Sequence, residues 1–273
     1  MQISAIPEDA PVEPPEGVHL VRANNPGLLS LTGTNTWVIE GRESGVTIVI
    51  DPGPPLPEHL AAIRALGRPA AIVLTHQHPD HAEAAPALAA EFDIPVYAAL
   101  PELAIGTTAL TDGVDIVAAG QSLTVLATPG HTSDSVCLRI PGALFTGDTL
   151  LGGSTTIIAP PSGSLTDYFD TMTRLGALTD TPGFPGHGPA FSSVGQWATE
   201  NATYREGRLT QLAEIYRRLS AGSAGSAGLT PSLAAVASAT YGEDGQPVEE
   251  YVLAMTDAQL RFLNQRGDIS GWS

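Results

Sequence analysis

The 273-residue chain contains no lysine; its twelve basic residues are all arginine. Set against twenty-nine acidic residues, they leave a formal net charge of −17. Such a balance weighs against a chain-wide electrostatic footprint for nucleic acid or anionic membrane. One cysteine, Cys137, excludes an internal disulfide and fits a reducing compartment. It sits in the strand-like run "SVCLRI" and reads as a small buried hydrophobe. No apolar run reaches the roughly 18–20 residues of a membrane span. Residues 1–17 are proline-rich and acidic, without the charged and apolar segments of a secretory signal, and read as a flexible lead-in. A cytoplasmic location is therefore expected. With 42% hydrophobic and 15% charged residues, the composition is globular, not disordered.

The pattern alternates short β-rich runs with helical segments. "NTWVIEG", "VTIVIDPG", "AAIVLTH", "IPVYAAL", "QSLTVLATPG", "DSVCLRI" and "ALFTGD" read as strands. "LPEHLAAIRALG" reads as a helix closed by Gly67, and "HAEAAPALAAEF" as one that takes Pro86 in its first turns. "SLTDYFDTMTRLGAL" is amphipathic, with Ser164 as N-cap. After about residue 193 the texture turns helical, with Leu209, Leu212, Ile215, Tyr216 and Leu219 on one face. "SAGSAGSAG", residues 220–228, reads as a linker. The expected organisation is an α/β sandwich over residues 18–193 and a small helical subdomain over 194–273. Arg205, Arg208, Arg217 and Arg218 are expected on a solvated helix face pairing with Glu206 and Glu214, the alternative being a local phosphate contact.

Histidine is scarce, with seven in the chain, yet three fall within "LTHQHPDH", residues 74–81. His131 follows a strand in "ATPGHTSDS", His187 sits in "FPGHGP", and Asp148 ends "LFTGD". Residues at strand ends and in Gly/Pro turns converge on one edge of a sheet. His76 and His78, two apart at a strand end, project to the same side. Pro79 then turns the chain, so Asp80 and His81 aim at a neighbouring point. Imidazole and carboxylate suit zinc, and also manganese or iron. Seven candidate ligands (His76, His78, Asp80, His81, His131, Asp148 and His187) are too many for one tetrahedral ion. They match two ions sharing a carboxylate about 3.5–4 Å apart. His19 and His59 read as ordinary surface or edge residues. Asp51, in "VIDPG", either orients a ligand histidine or caps a turn.

In that order, the motif His76-Gln77-His78-Pro79-Asp80-His81, then His131, Asp148 and His187, resembles the metallo-β-lactamase fold hydrolases. The resemblance covers roughly residues 18–190 and implies an αββα sandwich with two metals, zinc first among them, at one edge of its sheets. It implies that His76, His78 and His131 hold one ion, that Asp80, His81 and His187 hold the other, and that Asp148 bridges. "NPGLLSLTGTNTWVI", "TGDTLLGGSTTII", "PGHGP" and the tail look like the beta-lactamase-like protein 2 branch, whose tail is winged-helix-like and some of whose members cut single-stranded RNA. Two positions depart from the pattern. Ala82-Glu83-Ala84 stands where glycines often follow the motif, and Tyr204-Arg205 where the branch often has His-Arg.

The expected activity is hydrolysis by a hydroxide held between two metals, with Asp80 and Asp148 catalytic, on an ester, thioester or similar acyl substrate. Single-stranded RNA cleavage and mononuclear iron oxidation of sulfur compounds are the alternatives. Asn35, Thr36, Thr155 and Thr156 are candidates for the substrate side. The tail is a candidate lid or a homodimer surface. A small-molecule substrate is favoured over nucleic acid, and no membrane partner is expected.

Overall fold

The computed structural model describes residues 12–222, 230–242 and 248–272. Two five-stranded sheets form its centre. In the first, β1 (Val18–Arg22), β2 (Asn35–Glu40), β3 (Val46–Ile50), β4 (Arg68–Val73) and β5 (Val96–Tyr97) lie in chain order. β1, β2 and β3 are antiparallel, whereas β3, β4 and β5 run parallel. The parallel steps need crossovers; these are α1 (Pro57–Leu66), then α2 (Pro79–Ala82) and α3 (Ala85–Phe92). The second sheet is an antiparallel meander of β6 (Asp115–Ala118), β7 (Gln121–Ala127), β8 (Val136–Ile140) and β9 (Ala143–Gly147). β10 (Gly183–Pro185) closes it, parallel to β9, after α4 (Leu165–Leu175).

The strands read as unbroken apolar runs because both faces are buried. Along β3 and β4, Ile48, Ile50 and Val73 turn towards the other sheet, while Val49 and Ile72 pack under α1 and α3 with Ile63 and Leu88. The second sheet mirrors this. Leu123, Val125, Leu138 and Phe145 face inward, and Leu126, Cys137 and Leu144 face outward. Each such fully buried aliphatic or Phe side chain contributes about 1.5–3 kcal/mol. Cys137 is the small core residue expected, and burial pushes its thiol up to about 11.

The outward face of the second sheet is covered by α4 and by three C-terminal helices, α5 (Val194–Gly222), α6 (Leu233–Tyr241) and α7 (Glu250–Arg266). Leu144 and Leu165 belong to the same apolar cluster as Leu209, Leu212, Val236, Leu260 and Leu263. The layers are therefore helix, sheet, sheet, helix. The tail's described residues are helical, and no strand pair of a wing is among them. No described helix is long and apolar enough to cross a membrane.

Three differences from the sequence reading have physical causes. The helix expected over "HAEAAPALAAEF" is two short helices, because Ala84 N–H goes to Gly53 O and Pro86 has no N–H to continue the ladder; α3 restarts with that proline in its first turn. β1, β6 and β10 were not legible, being three to five residues long and defined by their neighbours. α5 runs through residue 222, into the segment that reads as linker, whose residues 223–228 lie outside the described ones, as do residues 1–11 of the lead-in.

Candidate metal centre

All seven candidate ligands meet at one edge of the sandwich, on the loops after β4, β7, β9 and β10 and, for Asp80 and His81, in the short α2. His76 Nε2 lies 3.0 Å from His78 Nδ1, and His131 Nε2 lies 2.9 Å from the same atom. A second group forms beside it. His81 Nε2 is 3.2 Å from His187 Nε2, and Asp80 Oδ2 is 3.2 Å from His187 Nε2. Asp148 stands between them. Its Oδ2 is 3.8 Å from His131 Nε2 and 3.4 Å from His187 Nε2, and its Oδ1 is 3.5 Å from His81 Nε2.

This arrangement fits metal ions better than hydrogen bonds. His131 Nδ1–H donates to Ile157 O at 2.7 Å and His76 Nδ1–H to Thr75 Oγ1 at 3.0 Å. Both Nε2 atoms therefore present lone pairs to His78, whose Nδ1 carries at most one proton. Asp148 Oδ1 is buried without a hydrogen-bond partner. The spacings match nitrogens on a tetrahedral zinc, which at Zn–N of about 2.0–2.1 Å lie roughly 3.3 Å apart. Gly186 keeps the space open, since a Cβ there would meet Asp148 Oδ1 at 2.6 Å and His81 Cε1 at 2.7 Å.

The remote ring nitrogens are held in a way that fixes the tautomers. Asp51 accepts from His81 Nδ1–H at 2.8 Å, and also from Thr75 N–H and Thr75 Oγ1–H. Thr75 in turn receives His76, so one buried carboxylate orients a ligand in each group. Of the two readings open for Asp51, the structure thus shows the orienting one; its oxygens are already spoken for, and its backbone is in the left-handed region at φ +49°. His187 Nδ1–H points to Gly33 O.

The two groups differ electrostatically. Burial holds His76 well below its ordinary pKa, helped by the neighbouring His81 charge. Burial and His131 lower His78 to about 4. Burial also disfavours charge on His81 and His187, but carboxylates outweigh it. Asp148 and Asp51 hold His81 well above its usual value, while Asp148 and Asp80 raise His187 to about 9. Asp148 is kept ionised against its burial by His81 and His187, and Asp80 against its burial by His187.

A cavity of about 1010 Å³ opens over both groups, with His78, Asp80, His131 and Asp148 in its floor. Leu28 and Leu29 from the β1–β2 connection and Val252 and Met255 from α7 supply apolar wall. Thr155 and Thr156 line it, although the Thr156 hydroxyl is 2.9 Å from His131 Nδ1 and serves that ring. Asn35 and Thr36 do not reach it. Both are buried; Asn35 Nδ2–H donates to Pro185 O and Gly188 O, bracketing the His187 turn, and Thr36 Oγ1 bonds Asp51 O and His59. Their polarity is spent on the scaffold. His59 is likewise buried, not superficial, with Nε2 on Thr36 and Pro52 O. His19 is the partly exposed strand residue expected, 2.8 Å from Glu40. Arg205 and Arg208 are not on a solvated face: both line the cavity, and Glu206 pairs with Arg266 instead. Sequence spacing held a signal for this: Arg205 and Arg208 stand four residues before Leu209 and Leu212, on the face of α5 that packs into the core.

These features define a metal-binding αββα protein with its ligands on loops at one sheet edge. The Metallo-beta-lactamase superfamily matches residues 29–187, and the chain belongs to that superfamily. It is 29% identical over 217 residues to the "Beta-lactamase-like protein 2 homolog" of Caenorhabditis elegans, covering 74% of this chain and 72% of that one. It is 32% identical over 210 residues to the "Atrochrysone carboxyl ACP thioesterase" of Aspergillus chevalieri, covering 73% of this chain but only 64% of that protein. A metallo-beta-lactamase family protein from Thermus thermophilus superposes with a TM-score of 0.74 at 19% identity, covering 92% of this chain and 94% of the other. TTHA1623, solved in a di-iron-bound form, superposes with a TM-score of 0.56 at 29% identity over 68% of this chain and 99% of its own.

Proposed function

We propose that the protein is a metal-dependent hydrolase of esters, thioesters or similar acyl compounds, using a dinuclear centre of the seven ligands. The observation that carries this reading is Asp148, a buried carboxylate with one orphan oxygen, set between two ligand trios at the floor of a largely apolar cavity. His76, His78 and His131 would hold one ion; Asp80, His81 and His187 the other; Asp148 would touch both. Such a pair supplies Lewis acidity for the acyl carbonyl and lowers the pKa of water in the site. Asp80, ionised and one-third exposed, orients the attacking water. The apolar walls hold the acyl chain and exclude bulk water, which strengthens the site's electrostatics.

The thioesterase among the relatives supports an acyl substrate, and the charge of −17 weighs against RNA. Zinc is the proposed occupant. The di-iron form of one structural relative supports iron as a second candidate metal for these ligands; a single iron acting oxidatively on sulfur compounds is the second reading. Metal content measured together with turnover of a thioester, a phosphodiester, an RNA oligomer and a lactam tests both. About two zinc ions per chain with thioester turnover is expected. One iron per chain with oxygen consumption on a sulfur substrate would displace the hydrolytic reading.

A further inference from the structure

Arg205 and Arg208 lie three residues apart on α5, and both line the cavity above the ligand trios. That spacing places them on one side of the helix. Arg205 is only 5% exposed. Its Nη2–H donates to Thr156 O and its guanidinium lies 5.2 Å over the Tyr168 ring, but Nε–H is buried with no partner. Arg208 donates from Nη1 to Gln211 Oε1 and stacks 5.1 Å over Tyr241, while its Nη2 is also buried without a partner. Among the described residues, neither is paired with a carboxylate.

Other arginines find partners: Arg64, Arg174, Arg261 and Arg266 meet an acidic side chain, Arg22 the Asn35 amide oxygen, and Arg68 and Arg217 a backbone carbonyl. Glu206, between the two arginines in sequence, is taken by Arg266. A protein with twenty-nine acidic residues has carboxylates to spare, and a buried cation without an anion is costly. Two arginines on one cavity wall, neither meeting a carboxylate among the described residues, mark a place kept for an anion from outside. That place is close to the ligands, since Thr156, which receives Arg205 on its carbonyl, holds His131 Nδ1 with its hydroxyl.

We propose that Arg205 and Arg208 form an anion-binding pair that selects acyl substrates carrying a second negative group, a carboxylate or a phosphate, a few bonds from the scissile carbonyl. The proposal rests on the acyl-hydrolase reading for its substrate but not for its anion. The guanidinium fork matches either group bidentately, and the ring stacking on Tyr168 and Tyr241 holds the forks in place. Such a pair puts two positive charges on the wall of a cavity that also carries Asp80, Asp148 and Glu249, and so gives an anionic substrate a place to dock.

The test uses the zinc-loaded full chain and calorimetric binding, so it needs no turnover. Succinate and 3-phosphonopropionate are compared with butyrate, which offers the same first carboxylate but no second anion. At least one of the two should bind about tenfold tighter than butyrate, and which one does so separates carboxylate from phosphate. In Arg208→Gln, with zinc content unchanged, the ratio should fall towards one. Arg208→Lys, which keeps the charge but loses the fork, should fall between and decides the matter if the glutamine variant does not fold. Equal binding of all three by the unaltered protein overturns the proposal, as does a ratio that survives Arg208→Gln. A single-stranded RNA oligomer that binds tighter than either dianion and is lost in Arg208→Gln would overturn the small-molecule assignment. Failure of the hydrolase reading would show instead as absent acyl turnover, with these binding ratios intact.

Discussion

The two candidate ligand trios draw on one six-residue stretch and touch the same Asp148, yet their surroundings shift imidazoles in opposite directions, His76 and His78 down and His81 and His187 up. His76 and His78 are kept neutral by burial among other imidazoles, with lone pairs ready for a cation. His81 and His187 sit against Asp51, Asp80 and Asp148 and hold protons that an incoming ion must displace. Carboxylates make the difference: Asp148 and Asp51 face His81, and Asp148 and Asp80 face His187, whereas His76 and His78 stand mainly among imidazoles. The first trio is preorganised for metal, and the second is preorganised by substitute protons.

Removing the shared residue should have the largest effect. Asp148→Ala is expected to cost both ions and to lower turnover by about a thousandfold or more; metal analysis alongside kcat/KM measures it, and retention of both ions would break the bridging assignment. Gly186→Ala should separate the trios. Its methyl would press on Asp148 Oδ1 and His81 Cε1, so the protein should keep close to one ion per chain, held by His76, His78 and His131, with most activity gone. An equal loss from both trios would show that they are not independent. Asp51→Asn should weaken metal affinity by about 10–100-fold, the range for altering a residue that orients a ligand, as measured by competition with a chromophoric chelator.

The smallest effect is in the pH dependence of the chelated protein. His78 titrates near 4 when folded and near 6.5 unfolded, so between these values only the unfolded chain binds the proton, and stability falls as pH drops. His187 titrates near 9 when folded. Between about 6.5 and 9 only the folded chain keeps that proton, and stability falls as pH rises. Urea midpoints should show both limbs. His78→Gln should flatten the acid limb and His187→Gln the alkaline one. Identical profiles for the two variants would erase the distinction between the trios.

Much of this was legible before folding was considered. The strands carrying Ile48, Ile50, Val73 and Phe145 are continuous apolar runs, and runs of that length are buried on both sides in any α/β fold. The candidate ligands were legible as a group because scarce histidines clustered at strand ends, where side chains of distant segments converge. Less was legible at Asn35 and Thr36, whose polarity suggested a substrate wall; they bond Pro185 O, Gly188 O and Asp51 O instead. His59 escaped for the same reason, since burial of one helix face depends on what lies beneath it.

The sequence by itself pointed to the layered α/β core and to the seven candidate ligands in their order, because hydrophobic periodicity and ligand chemistry are properties of local residue types. Only the tertiary structure decided that Asp51 orients His81 and reaches His76 through Thr75, that Gly186 leaves room for Asp148, and that Arg205 and Arg208 turn inward over the site. Those outcomes depend on distances between segments tens of residues apart in the chain, or on which face of a helix is covered. Both are set by packing, which no local pattern records.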